Sequence, residues 1–141
     1  MKKAALFAKI GCWTLIVTAV LHTFGVLAFL LSPPSEPAEE ELFRVMKAYA
    51  PPQPGPDRSV WEILGGLHLS LGIFTFVIGL ACLLALRRFD TGPAVRWITG
   101  FNALLWGLIA LVSIFCFPLP PLVFYTFSFG CFLISWILLP K

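Results

Sequence analysis

The chain is short of charge. Only 12% of its 141 residues are Asp, Glu, Lys or Arg, against about a quarter in soluble domains. So few charges cannot clothe a water-facing surface. Together with 59% hydrophobic residues and a mean hydropathy of +0.92, the shortage defines a membrane chain. Also lacking is any polar region large enough for a soluble catalytic domain, the longest such stretch being 32–59. The formal charge of +3 is too small and too scattered for a nucleic-acid surface. There are four cysteines but no CxxC pair, which argues against a thiol-redox enzyme. No phosphate loop, metalloprotease motif or nucleophile and base pair is present either. Zinc is disfavoured because structural sites need about four ligands and the intramembrane candidates reduce to His22, His68 and Cys131.

What remains is apolar sequence. A helix needs about 20 apolar residues to cross a bilayer. Turn signals divide this chain into four such runs, 10–31, 61–86, 96–117 and 122–139. The expected fold is therefore all-α, a four-transmembrane-helix bundle forming one integral membrane domain over residues 1–141. A basic start followed by apolar residues also suits a signal peptide. That alternative calls for an apolar core of only about 7–15 residues and a small-residue cleavage site, whereas this run is longer and ends in Phe29-Leu30-Leu31. We read it as an uncleaved first span.

The polar interval opens with Pro33-Pro34 and closes with Pro51-Pro52-Gln53-Pro54-Gly55-Pro56. Between these breaks, Glu39, Glu40 and Glu41 precede Arg44 and Lys47, matching the polarity of a helix macrodipole. Leu42, Met46 and Tyr49 recur at helical spacing. The pattern predicts a short amphipathic helix over 37–50, lying on the membrane surface. Ser59-Val60-Trp61-Glu62 has the form of a capping box and starts the second span. Arg87 to Pro93 is a basic turn, and Phe117-Pro118-Leu119-Pro120-Pro121 is expected to force a tight reversal. Lys2, Lys3, Lys9, Arg87, Arg88, Arg96 and Lys141 fall on one side, while Arg44, Lys47 and Arg58 fall on the other. The excess of basic residues places both termini in the cytoplasm, in a cytoplasmic (inner) membrane, with the acidic segment outside.

His22 and His68 are the only histidines, and both lie within apolar spans. Counting about 1.5 Å per residue from the outer ends puts His22 about 13 Å deep and His68 about 10 Å deep. Since consecutive helices tend to be neighbours, the two imidazoles can meet. Small residues flank both. Gly11, Thr18 and Gly25 repeat every seven residues in the first span, as do Gly65, Gly72 and Gly79 in the second, marking helix-packing stripes. The same stripes would leave room for a flat cofactor, so His22 and His68 are candidate axial ligands of a b-type haem. The competing assignment is structural: the histidines hydrogen-bond each other or hydroxyls such as Thr18, Ser70 or Thr126. Contact with a quinone or lipid headgroup is a third. Asn102, in the third span, is expected to bond a neighbouring helix.

A histidine in span one, an amphipathic segment ending in Met46, and Trp61 leading into Gly65-Gly66 together resemble small four-span bacterial membrane proteins grouped loosely with the DoxX-like families. The resemblance covers most of the chain at the level of layout. It implies a four-helix bundle in the cytoplasmic membrane and carries over no catalytic residues. Some members of that broad group are linked to respiratory or redox complexes. The expected function is a non-enzymatic structural or accessory subunit of a membrane complex or homo-oligomer, with a bis-histidine haem b electron carrier as the alternative.

Overall fold

The computed structural model describes residues 2–52, 55–89, 92–116 and 119–140. These form five helices: α1 (Lys2–Leu31), α2 (Pro37–Ala48), α3 (Val60–Arg88), α4 (Pro93–Cys116) and α5 (Leu119–Leu138). All but α2 are long and apolar enough to cross a membrane, so the protein is a multi-pass all-α membrane protein.

The starts of α1 and α5 are among the boundaries that differ from expectation. α1 begins at Lys2 instead of near Ile10, because Ala4 and Ala8 are fully buried and tie the basic leader into the bundle. The Ser135 hydroxyl of α5 donates to the Ala4 carbonyl at 2.9 Å, anchoring that first turn. α5 begins at Leu119, with Pro120 and Pro121 inside its first turn. Prolines are tolerated there because the first amides of a helix have no intrahelical acceptor. The reversal expected at Phe117-Pro118 lies outside the described residues, as do Gln53-Pro54, Asp90-Thr91 and Lys141.

The capping box forms as expected. Glu62 N–H donates to Ser59 Oγ at 3.3 Å, and Ser59 N–H donates back to Glu62 Oε2 at 2.9 Å. The amphipathic segment is helical over Pro37–Ala48, with Pro37 in the first turn. Glu39 in its first turn ties back the preceding chain, accepting from both the amide and the hydroxyl of Ser35 at 2.7 Å.

Helix order around the bundle is α3, α1, α5, α4. α3 meets α1 along its glycine stripe. A Cβ at Gly79 would lie 3.0 Å from Ile16 and 3.1 Å from the Cys12 carbonyl, and one at Gly65 would lie 3.3 Å from Leu30. At Gly72 an added Cβ would overlap Thr23 Oγ1. These three glycines therefore set the α1–α3 spacing, as small-residue faces do in membrane helices. Thr18 is buried and donates to the Thr14 carbonyl. Gly11 belongs to a different seam, since its Cβ would meet Phe132 of α5 at 3.1 Å. At Gly25 nothing lies within 4 Å of a would-be Cβ. Gly100 and Gly107, which the seven-residue count passes over, are the glycines that admit Trp136 and Phe129 of α5 against α4.

α3 and α4 follow one another in sequence yet scarcely touch. Their small-residue faces point elsewhere, α3's to α1 and α4's to α5. One polar link crosses the gap. Asn102 Nδ2 donates to Cys82 Sγ at 3.1 Å and to the Ile98 carbonyl, while its Oδ1 accepts from Trp106 Nε1 at 3.2 Å. Asn102 thus bonds a neighbouring helix, as expected, and satisfies its own amide inside an apolar core. Trp106 stacks on Tyr125 with ring centroids 5.4 Å apart, joining α4 to α5.

A histidine-walled cavity beneath the amphipathic helix

The end of the bundle covered by α2 is held by aromatic rings from three helices. Phe43 of α2, 6% exposed, lies 4.6 Å from the Trp61 ring of α3 and 5.4 Å from Phe29 of α1. Lys47 places its ammonium 5.0 Å from the Trp61 ring, a cation–π contact that adds attraction beyond area burial. The Val60 amide donates to the Tyr49 carbonyl at 2.9 Å, closing the connection between α2 and α3. The sequence pattern pointed to α2 but not to this cluster. Phe29 and Phe43 are fourteen positions apart, and nothing local signals that they meet.

Below the cluster is a cavity of about 530 Å³. His22, Gly25 and Phe29 of α1 form one wall, Trp61, Gly65 and His68 of α3 another, Leu42 and Met46 of α2 the roof, and Pro121 of α5 an edge. The open flank of Gly25 is cavity space here.

The structure brings His22 and His68 together, with ring centroids 5.7 Å apart and planes inclined at 44°. They do not bond ring to ring. His22 Nε2 is 3.1 Å from the backbone carbonyl of His68. A carbonyl only accepts, so Nε2 carries the proton, and the neutral ring keeps its lone pair on Nδ1. His68 is exposed toward the cavity mouth, and among the described residues its ring nitrogens have no hydrogen-bond partner. Both imidazoles therefore line one wet-capable edge of an otherwise apolar and aromatic space.

Nothing in this arrangement singles out haem as a group that the pair holds. With Nε2–H given to the His68 carbonyl, the lone pair that His22 keeps for a ligand is on Nδ1. At the level of the His22 ring, Gly72 of α3 faces Thr23 of α1. Thr18, Ser70 and Thr126, the hydroxyls considered as histidine partners, make no bond to either ring among the described residues.

No protein family, curated protein or solved structure matches this chain. What the structure shows is the layout alone, four apolar helices with a short helix between the first two.

Proposed function

We propose that the protein is a non-enzymatic accessory subunit of a membrane complex whose working part is the cavity beneath α2, where it holds the polar ring of an amphiphile such as a quinone. The observation that carries this reading is the pairing of two imidazoles on the wall of a 530 Å³ space roofed by an amphipathic helix. Small-molecule sites commonly have about 300–1,000 Å³, mostly apolar lining and a few convergent polar groups. His68 supplies a donor for a ring carbonyl, His22 holds the α1 wall against α3, and Trp61 offers a stacking face. The apolar tail would leave through the open side of the cavity toward lipid. In the orientation that the basic residues favour, the cavity faces the extracytoplasmic side.

The test is a titration of the purified, detergent-solubilised protein with a short-chain benzoquinone, read as quenching of Trp61 emission against a Trp61→Phe reference. Saturable quenching is expected, weakened about five- to tenfold in His68→Ala, the size of one lost hydrogen bond of about 1 kcal/mol. Quenching that rises linearly with detergent partitioning and ignores His68→Ala overturns the reading. A low-spin haem spectrum in the reduced protein that vanishes in His22→Ala would replace it with the haem alternative.

A further inference from the structure

Toward the opposite end of α3 from the histidines, about 15–25 Å along the helix by rise per residue, the open seam between α3 and α4 forms a second hollow of about 470 Å³. Its α3 wall is Ile78, Ala81, Cys82 and Ala85, and its α4 wall rises to Trp97 and Phe101. The floor is the Asn102–Cys82 bond. Trp97 is 79% exposed, so the groove opens sideways, toward the surface that an apolar span turns to lipid. Ala81, Ala85 and Arg88 are spaced by four and three residues and so share one face of α3. The groove's own stripe therefore ends on an exposed arginine, with exposed Arg87 beside it. α4 starts at Pro93 at this same end, and the positive pole of its dipole adds to the local potential. Arg96, by contrast, is engaged: its guanidinium donates to the Leu139 carbonyl and lies 5.2 Å from the Trp136 ring.

We propose that this groove binds an anionic phospholipid, one acyl chain lying in the α3–α4 seam and the phosphate held by Arg88 with help from Arg87. An acyl chain matches an open, almost wholly apolar groove between two helices. Basic residues where such a groove meets the membrane surface select an anionic headgroup, each contributing about fivefold in binding. A zwitterionic lipid gains less, because its own cation sits near the arginines. The proposal is independent of the histidine cavity, which lies at the other end of the bundle.

The experiment uses the full chain in phosphatidylcholine nanodiscs doped with a small fraction of chain-brominated phosphatidylglycerol or chain-brominated phosphatidylcholine. Quenching is read as the Trp97-dependent part of the emission, by difference from Trp97→Phe. The expected result is quenching by the anionic lipid at an apparent affinity at least about fivefold above that of the zwitterionic one. The preference should fall toward unity in the Arg87→Gln/Arg88→Gln variant and at about 1 M salt, where the Debye length is about 3 Å. Ala81→Phe, which fills the groove and leaves the arginines in place, should reduce quenching by both lipids. Equal quenching by the two lipids in the wild-type protein overturns the proposal, as does a preference that survives the double arginine substitution. So does a photocrosslinker at Ala85 that captures a second polypeptide in place of lipid.

Discussion

Single residues in this protein are best understood by what a methyl group would do to them. Gly72 and Gly25 are both helical glycines in apolar spans, and both belong to seven-residue repeats. At Gly72 an added Cβ collides with Thr23 Oγ1, and at Gly25 it meets nothing within 4 Å. Gly72→Ala should therefore push α1 from α3 and cost about 1–3 kcal/mol, the usual penalty for overpacking. Gly25→Ala should be neutral or stabilising by up to about 1 kcal/mol through helix propensity alone. Thermal unfolding in one detergent, followed by circular dichroism, compares them directly. A lower midpoint for Gly25→Ala than for Gly72→Ala would contradict the assignment of the two faces. The repeat was visible in the sequence, but its meaning at each position depended on the partner helix.

α2 is the element whose attachment is most exposed to test. It buries only Phe43, and its remaining surface is charged or open. Removing that ring with Phe43→Ala deletes the contacts to Phe29 and Trp61, at a cost near the lower end of the about 3–5 kcal/mol typical of buried Phe→Ala changes. Faster proteolysis within 37–48, with the four long helices still protected, is the expected readout. The element also carries a pH dependence. Hydrogen bonds from the Ser35 amide and hydroxyl hold the Glu39 carboxyl below its ordinary value, and the Arg44 guanidinium does the same for Glu41. A depressed acid stabilises the fold above its unfolded-state pKa, and that contribution is lost as pH falls through the folded value. α2 should accordingly loosen on acidification below the ordinary carboxylate range, seen as a shift in Trp61 emission, and the shift should shrink in Glu39→Gln. Glu41 is exposed and Glu39 only half-buried, so the change in α2 should be gradual.

At the scale of the whole molecule, the distribution of basic residues predicts which face of the membrane each end occupies. The basic residues at Lys2, Lys3, Lys9, Arg87 and Arg88 gather at one end, and α2 covers the other. If the excess of basic residues governs insertion, a cysteine at Ser35 in a cysteine-free background should react with a membrane-impermeant maleimide added to intact spheroplasts. One at Arg87 should react only after lysis. The reverse labelling would invert the molecule and move the histidine cavity to the cytoplasmic side. The same basic end carries the α3–α4 groove, so orientation also decides which leaflet's lipids reach it.

The sequence by itself determined the membrane class, the number of long apolar helices, the short amphipathic helix and the Ser59–Glu62 cap. Each depends on residues within a few positions of one another, through hydropathy, spacing and local hydrogen bonding. It also placed His22 and His68 at matching depth, because rise per residue is constant along a helix. The tertiary structure alone decided the rest. It determined that His22 Nε2 donates to the His68 backbone and leaves the His68 ring open to the cavity, and that Gly11 packs on α5 while Gly25 faces open space. It also determined that α3 and α4, neighbours in sequence, part to leave a groove. The physical reason is rotational: a chain encodes how deep a side chain sits by counting, but which way it faces depends on where the small residues of two helices find each other.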